Sequence, residues 1–214
     1  MRVVITGSSR GIGRAIAEKF LMNGDEVHGI DVLESSINDR LYTHHVADVR
    51  GKLPDIENVD ILINNAGVQN TDDDIGVNLL GVINCTEKYG IHPNIKSIVN
   101  MSSVSGHTGA EFPEYAASKG GVLAYTKNTA KRLAEYGATC NSISPGGVIT
   151  PINDRVMNDP DKWQQIMDLT PLKKWATAEE IAEWTYFIAK INKSATAQDI
   201  IIDNGENSNS QFVW

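Results

Sequence analysis

The apolar residues of this chain follow two alternating patterns: short β-branched runs, and longer segments with an apolar residue every three or four positions. Residues 2–6 (RVVIT) are typical of a buried parallel strand. Residues 11–23 then carry apolar side chains at helical spacing. This succession of a strand and a helix recurs along the chain. Further strands are predicted at residues 26–31, 41–46, 59–64, 96–101, 138–143 and 198–202, and further main helices at 75–89 and from 111 to 133.

This alternation predicts the α/β fold class. Strands that alternate with helices form parallel sheets covered on both faces, and right-handed crossovers then give a doubly wound arrangement. We therefore expect a Rossmann-like parallel sheet of about seven strands with helices on both faces. No repeat or linker interrupts the chain, so we expect a single domain over residues 1–214.

Composition and charge narrow the class of partner. Hydrophobic residues make up 41% and charged residues 21% of the chain, which is ordinary for a globular protein. The net charge of -8 argues against nucleic acids and anionic membranes, but not against a phosphate-bearing cofactor bound by backbone amides. Cys85 and Cys140 show no CxxC spacing, the first strand begins at Arg2, and no apolar run reaches the length of a membrane span. We expect a soluble, cytoplasmic protein without a signal peptide or a metal, acting on a small molecule.

The turn after the first strand, residues 6–13 (TGSSRGIG), contains three glycines. Gly7 permits a sharp turn, Gly11 lets the backbone approach a pyrophosphate, and Gly13 allows the helix to pack tightly on the strand. The N-terminus of the helix offers free N–H groups and partial positive charge to phosphates. A plain tight turn is the alternative, but the position between a predicted strand and a predicted helix favours dinucleotide binding.

Asp31 ends the second predicted strand, 18 residues after Gly13. A carboxylate there accepts hydrogen bonds from both hydroxyls of an adenosine ribose and repels a 2′-phosphate, which favours NAD over NADP. Val32 and Leu33 offer no positive charge to a 2′-phosphate, whereas Arg10 in the glycine turn could reach one. A strand-end turn carboxylate is the alternative interpretation of Asp31.

Tyr115 and Lys119 stand four residues apart in a predicted helix, which places both side chains on one face. An ammonium beside a phenol favours the phenolate and lowers the phenol pKa from about 10. The pair would then act as an acid/base at neutral pH. A solvated helix face is the ordinary alternative for such a pair.

Taken together, these motifs resemble the short-chain dehydrogenase/reductase family, single-domain type, over essentially the whole chain. Each motif is modest alone, but the set in this order is highly specific. The matching segments are residues 6–13 (TGSSRGIG), Asp48-Val49, residues 64–67 (NNAG), Asn78, Ser102-Ser103, residues 115–119 (YAASK), residues 144–150 (SPGGVIT) and residues 196–205 (TAQDIIIDNG).

The resemblance implies an oxidoreductase that transfers a hydride between NAD(H) and a secondary alcohol or ketone. It implies that Tyr115 exchanges the proton with the substrate oxygen, while Lys119 lowers the tyrosine pKa and binds the nicotinamide ribose. Ser103 would hold the substrate oxygen, and Asn78 would hold a water that connects Lys119 to solvent. Ser103 is favoured because two residues and a glycine follow it, as in the family. Ser102 stays open because the spacing from Ser103 to Tyr115 is one residue shorter than usual.

The same resemblance assigns the cofactor contacts. Asp48 and Val49 are expected at the adenine, Val148 at the nicotinamide carboxamide and Thr150 at the pyrophosphate. The full expected set is Gly7, Ser9, Arg10, Gly11, Ile12, Gly13, Asp31, Asp48, Val49, Asn65, Ala66, Gly67, Tyr115, Lys119, Pro145, Gly146, Val148 and Thr150.

Several other segments carry weaker expectations. Residues 151–175 are expected to form one or two short helices over the active site as a substrate lid, with a helix packed on its own core as the alternative. The aspartates at 72–74 either cap the helix that carries Asn78 or form a solvated run. His44-His45 is interpreted as a surface or strand-end pair rather than a metal site. Phe212 and Trp214 are expected at a subunit boundary of a homodimer or homotetramer.

Two other functions stay open from the sequence. A catalytically silent dinucleotide-binding sensor would keep the fold without the chemistry, although the intact set of Asn78, Ser103, Tyr115 and Lys119 argues against it. A sugar-nucleotide epimerase is weaker, because its glycine turn usually has one fewer residue between the first two glycines.

Overall fold

The computed structural model describes residues 1–110 and 112–208. Glu111, Phe212 and Trp214 lie outside the described residues, and so does the expectation placed on the tail. The strands are Arg2–Thr6 (β1), Glu26–Asp31 (β2), Tyr42–Val46 (β3), Ile61–Asn64 (β4), Ser97–Met101 (β5), Thr139–Pro145 (β6), Val148–Ile149 (β7), Ala176–Thr177 (β8) and Asp199–Ile202 (β9).

Within this part of the chain, seven strands form one parallel sheet in the order β3-β2-β1-β4-β5-β6-β9. The chain passes outward from β1 to β3 and then returns to β4 on the other side of β1, so the strand order reverses there. In an open α/β sheet such a reversal leaves a crevice at the carboxyl ends of the strands, where ligands bind. The predicted Rossmann-like fold and its seven strands are confirmed.

Helices cover both faces of this sheet. None of the described helices is both long enough and apolar enough to cross a bilayer. They are Gly11–Met22 (α1), Gly81–Tyr89 (α2), Ser105–Thr108 (α3), Pro113–Leu133 (α4), Asp154–Met157 (α5), Pro160–Leu169 (α6) and Ala178–Tyr186 (α7), with π-helical turns at Gly76–Leu80 and Phe187–Ile191.

Two apolar cores lie on opposite faces of the sheet, and β1 contributes to both. Val3 and Ile5 point into the core shared with α1 and α7, whereas Val4 points into the core shared with α2 and α4. All three side chains are fully buried. Burial on both faces explains why β1 is a continuous apolar run rather than an alternating one. Each such side chain contributes roughly 1.5–3 kcal/mol to folding.

The helix predicted at residues 75–89 is divided in two. Gly76–Leu80 forms a π-helical turn that carries Asn78, and α2 follows it. The Asp73 carboxylate accepts a hydrogen bond from the Gly76 amide at 3.1 Å, so this aspartate caps the turn. Isolated π-helical turns are rare, and many of them occur at functional sites.

Helix α7 was not predicted, although its start carries a recognisable signal. The Thr177 hydroxyl accepts from the Glu180 amide at 3.2 Å, and the Glu180 carboxylate accepts from the Thr177 amide at 2.9 Å. This reciprocal pair is a capping box. On the far side of the helix, the Tyr186 ring packs 5.0 Å from the Phe20 ring of α1. Helix α7 therefore supports the helix that begins at the glycine turn.

The predicted lid, residues 151–175, contains a 3₁₀ turn at Pro151–Asn153 together with α5 and α6. The Trp163 ring of α6 lies edge-on against Trp175, with 4.9 Å between ring centroids. This contact lies within the segment and packs α6 against the C-terminal end of the segment. Its movement as a lid stays a prediction.

We predict that Thr177→Ala lowers the free energy of unfolding by about 1 kcal/mol, because it removes one half of the capping box of α7. Urea-induced unfolding followed by circular dichroism checks this. Thr177→Ser keeps the hydroxyl and should unfold close to the wild-type midpoint. Equal midpoints for wild type and Thr177→Ala would show that the capping box does not stabilise the fold.

Candidate active site

A cavity of about 720 Å³ opens at the carboxyl ends of the strands, where the strand order reverses. Both candidate serines, Ser102 and Ser103, line it. Three residues of the predicted site, Ser9, Gly13 and Asn78, do not line it and lie behind its wall. The predicted cofactor residues that do line it are Gly7, Arg10, Gly11, Ile12, Asp31, Asp48, Val49, Asn65, Ala66, Gly67, Tyr115, Lys119, Pro145, Gly146, Val148 and Thr150.

Two glycines of the first turn are required by close backbone approach. Gly7 has a φ of +68°, and a Cβ on it would lie 2.8 Å from the Ala66 Cα. A Cβ on Gly13 would lie 2.0 Å from the Gly7 carbonyl oxygen. Because Gly13 has no side chain, α1 starts directly on the turn and its first amides reach the cavity.

The N-terminus of α1 is open to an anion. Arg10 is the N-cap residue, no side chain caps the helix, and the first turn holds no acidic residue. The first N–H groups and the positive end of the helix dipole are therefore available to a phosphate. The exposed Arg10 side chain makes no hydrogen bond or ion pair with residues 1–110 or 112–208. This end of the cavity fits the pyrophosphate of a dinucleotide.

The Asp31 carboxylate is held by two backbone amides. Its Oδ2 accepts from the Ser9 amide at 2.9 Å, and its Oδ1 accepts from the Leu33 amide at 3.0 Å. Ser9 therefore orients Asp31 instead of lining the cavity. Each carboxylate oxygen retains acceptor capacity for a ligand hydroxyl.

Arg50, which the sequence did not single out, bridges the two loops that carry Asp48 and Asp73 at the cavity. Its Nη2 lies 2.6 Å from Asp48 Oδ2, and its Nη1 lies 2.8 Å from Asp73 Oδ2. The hydrogen bond from Arg50 holds the pKa of Asp48 below its ordinary value. Because the guanidinium is half exposed, the pair adds little stability and mainly sets the shape of this wall.

The Asn78 side chain is fully buried and joins three segments. Its Oδ1 accepts from the Val68 amide at 2.8 Å, and its Nδ2 donates to the Val68 carbonyl at 2.9 Å. The same Nδ2 donates to Ser118 Oγ on α4 at 3.1 Å. Asn78 thus fixes the turn at Gly67 and Val68 beside Lys119.

Lys119 is the buried cation of the site. Only 5% of the residue is exposed, and its Nζ donates to the Met101 carbonyl at the end of β5 at 3.0 Å. The Nζ lies 5.7 Å from the centre of the Tyr115 ring, so the helical spacing does place the pair together. Burial lowers the pKa of Lys119 to about 8. The amine is therefore largely protonated at neutral pH but close to its titration.

Asp74 opposes this effect of burial, because its negative charge raises the pKa of Lys119. Its carboxylate is 99% buried, since 1% of the residue is exposed, and it accepts from the amides of Asn70 and Thr71. The aspartates at 72–74 are therefore not simply a solvated run. Asp73 caps the π-helical turn and Asp74 orders the loop before it.

The two serines differ in what their hydroxyl groups contact. Ser102 Oγ donates to the Lys119 carbonyl at 2.9 Å, so its proton is turned into α4. Ser103 Oγ accepts from the Ser105 amide at 3.2 Å, and none of the hydrogen bonds among residues 1–110 and 112–208 uses its own proton. A Cβ on Gly106 would lie 2.7 Å from the Lys119 carbonyl carbon. The glycine after the serine is thus required by the contact between α3 and α4.

Trp175 lines the cavity beside Gly147 and Val148, and sequence reasoning placed it only within the lid segment. A Cβ on Gly147 would lie 2.0 Å from the Trp175 ring, so the indole packs directly on the backbone before Val148. The Val148 carbonyl accepts from Asn153 Nδ2 at 2.8 Å, which ties the 3₁₀ turn to β7. The pair of glycines in the SPGGVIT motif is the sequence signal for this packing.

His44 and His45 do not form one site. Successive side chains of β3 point to opposite faces of the sheet. His44 Nδ1 lies 3.0 Å from the Tyr42 hydroxyl, whereas His45 Nε2 lies 3.1 Å from His28 Nδ1. The adjacent histidines thus have separate partners.

The reversed strand order, the uncapped helix N-terminus and the neighbouring Ser103, Tyr115 and Lys119 define a class, the Rossmann-fold oxidoreductases that use a nicotinamide dinucleotide. Comparisons with known proteins agree. A family model described as enoyl-(acyl carrier protein) reductase matches residues 7–207. The 3-oxoacyl-(acyl-carrier-protein) reductase FabG of Chlamydia pneumoniae is 31% identical over 239 residues, covering 95% of this chain and 96% of that protein.

Solved structures show the same architecture. The aldohexose dehydrogenase of Thermoplasma acidophilum, in ligand-free form, is 25% identical with a TM-score of 0.86, covering 100% of this chain and 96% of that one. A 4-hydroxyisoleucine dehydrogenase complexed with NADH is 25% identical with a TM-score of 0.86, covering 98% and 99%. This chain belongs to the short-chain dehydrogenase/reductase family and is an NAD(P)-dependent oxidoreductase.

We predict that Lys119→Met is more stable than the wild type at neutral pH by about 2 kcal/mol, because burial disfavours the ammonium. Between the folded pKa of about 8 and the ordinary 10.5, the folded wild type has released a proton that the unfolded chain retains. Wild-type stability therefore rises with pH through this window. The advantage of Lys119→Met should shrink above pH 8.

Urea unfolding of both proteins across neutral to alkaline pH checks this prediction. Lys127→Met, which replaces an exposed lysine of the same helix, is the matched control and should show no such trend. A stability difference that stays constant with pH would contradict a depressed pKa at Lys119.

Proposed function

We propose that this protein interconverts a secondary alcohol and a ketone with NAD(H) as the cofactor. The observation that carries the proposal is that Ser103, Tyr115 and Lys119 line the same cavity as the glycine turn and Asp31. A substrate oxygen and a dinucleotide would therefore share one space. The cavity residues that we assign to the cofactor are those predicted from the sequence. Ser9 and Gly13 were also predicted, but they lie behind the cavity wall.

The cofactor, when bound, supplies or accepts the hydride. Different elements of the chain would hold the different parts of the cofactor. The amides at the start of α1 suit the pyrophosphate, Asp31 suits the adenosine ribose, and Asp48 with Val49 suits the adenine. The backbone of Val148 suits the nicotinamide carboxamide, and the side chain of Thr150 suits the pyrophosphate.

Tyr115 carries the proton in this proposal. In ketone reduction it donates a proton to the substrate oxygen, and in alcohol oxidation it takes one away. The Lys119 ammonium, 5.7 Å from the ring centre, favours the phenolate and so assists both directions. The carbonyl of Met101 holds that ammonium in place.

Ser103 holds the substrate oxygen. Its hydroxyl proton is unused by the described residues, so it can donate to the oxygen on which negative charge develops. We assign Asn78 a positioning role, because Val68 and Ser118 occupy the hydrogen-bonding groups of its side chain. The water that connects Lys119 to solvent stays a prediction.

NAD rather than NADP is proposed because the Asp31 carboxylate, at the end of β2, would repel a 2′-phosphate. Related structures do not choose between the two, since the 4-hydroxyisoleucine dehydrogenase contains NADH and a putative 2-deoxy-d-gluconate 3-dehydrogenase contains NADP. Arg10 is the feature in favour of NADP, since its side chain lines the cavity. Measuring the affinities for NADH and NADPH side by side shows which of the two is the cofactor.

The substrate would be a small alcohol or carbonyl compound enclosed by the lid. Ile152, Val156 and Ile166 contribute apolar side chains to the cavity wall from this segment. Closure of these helices would exclude water from the reacting groups. A cytoplasmic homodimer or homotetramer stays a prediction.

Tyr115→Phe is expected to lower kcat by about 10²- to 10⁴-fold, because it removes only the proton donor. The dissociation constant for NADH should stay within about twofold, since the ring remains. Turnover is measured with a panel of ketones and secondary alcohols, and binding by fluorescence titration. Binding without turnover by the wild type across the panel would favour the silent sensor.

The two adjacent serines provide a matched test of the substrate contact. Ser103→Ala should lower kcat by about 10²- to 10³-fold, because it removes a donor to the developing charge. Ser102→Ala should leave kcat within about tenfold and lower the thermal midpoint, because its hydroxyl serves the Lys119 carbonyl. The opposite order of effects would assign the substrate contact to Ser102.

A further inference from the structure

We propose that Tyr42 and His44 on β3 are positioning residues that hold Asp31 in the geometry that recognises an adenosine ribose. The inference rests on the proposed function, in which Asp31 receives that ribose. Neither Tyr42 nor His44 lines the cavity, so any effect on the cofactor passes through Asp31 and the glycine turn.

A hydrogen-bond chain runs from the glycine turn to the loop after β2. Ser8 Oγ lies 3.0 Å from the Tyr42 hydroxyl, which lies 3.0 Å from His44 Nδ1. His44 Nε2 lies 2.9 Å from the Leu33 carbonyl oxygen. A carbonyl only accepts, so Nε2 carries the hydrogen and, in a neutral imidazole, Nδ1 accepts from Tyr42. Tyr42 then accepts from Ser8, and every hydroxyl in the chain has a fixed direction.

This chain supports the two amides that hold the Asp31 carboxylate. Leu33 donates its amide to Asp31, and its carbonyl accepts from both His44 and Ser9 Oγ. Ser9, which follows Ser8 in the chain, donates its own amide to the other carboxylate oxygen of Asp31. Leu33 is hydrogen-bonded to His44, and the residue before Ser9 is hydrogen-bonded to Tyr42. Both residues that donate an amide to Asp31 are therefore connected to β3.

Gly29 explains how Tyr42 reaches the glycine turn. A Cβ on Gly29 would lie 2.1 Å from the Tyr42 hydroxyl oxygen and 2.4 Å from Ser8 Oγ. A glycine inside a strand weakens it, and one reason to keep such a glycine is the close approach of another group. Here the phenol lies across the bare backbone of β2. Ser8 is fully buried, so no solvent replaces the Tyr42 hydroxyl as its partner.

Tyr42→Phe tests the proposal, because it keeps the ring over Gly29 and removes only the hydroxyl. We expect the dissociation constant for NADH, measured by fluorescence titration, to rise about three- to tenfold. The kcat at saturating cofactor should stay within about twofold, since the effect lies at the adenosine end. Reduced nicotinamide mononucleotide, which lacks the adenosine, should bind wild type and variant equally.

Two further variants separate positioning from stability. Tyr89→Phe removes a buried tyrosine hydroxyl that donates to the Pro54 carbonyl at 2.7 Å, away from Asp31. It should lower the thermal midpoint without changing the NADH dissociation constant. His44→Gln keeps a donor and an acceptor, and should bind NADH more tightly than His44→Ala.

The outcomes distinguish this inference from the function on which it rests. An unchanged NADH dissociation constant in Tyr42→Phe, or an equal loss for the mononucleotide, would overturn the positioning role. The proposed function would then still stand if Asp31→Ala weakens NADH binding. Failure of the wild type to bind NADH would overturn both.

Discussion

The placement of one cation inside the protein is the constraint on which the site depends. An ammonium out of water is unstable unless its protons have acceptors and an opposite charge lies near it. The Met101 carbonyl accepts one proton of the Lys119 ammonium, and the negative charge of the buried Asp74 carboxylate favours the charged form. The result is an amine that stays charged at neutral pH beside the Tyr115 ring. Burial also lowers its pKa, so this charge is held at a cost in stability.

That placement requires three backbones to meet closely at the carboxyl ends of the strands. The end of β5 supplies the Met101 carbonyl and α4 supplies Lys119. The turn at Gly67 lies beside the ammonium, since a Cβ on Gly67 would be 3.5 Å from Lys119 Nζ. On the other side, Gly106 allows α3 to lie against α4 at Lys119 itself. The reversal of strand order opens the crevice into which these groups face. The N-terminus of α1 lies at the same crevice, so the proposed acid/base pair and the glycine turn line one cavity.

The fold was predictable because its signals are local and periodic. The β-branched run RVVIT and the glycine turn after it identify β1 and the start of α1 without any long-range information. Contacts between segments that are distant in sequence are not periodic, and the sequence does not predict them. The burial of Asp74, the bridge from Arg50 to Asp73 and the reach of Tyr42 across Gly29 all join segments distant in sequence. Helix α7 is different, because the residues of its capping box, Thr177 and Glu180, are a signal that the sequence itself contains.

The titration of Lys119 tests the central role of the buried cation most directly, and it needs no substrate. Nuclear magnetic resonance of the lysine side chain, followed against pH in the wild type and in Asp74→Asn, measures it. We expect a pKa of about 8 in the wild type and a lower one in Asp74→Asn, because the variant loses the charge that opposes burial. A wild-type value at the ordinary 10.5, unmoved by Asp74→Asn, would contradict a desolvated ammonium at the centre of the site.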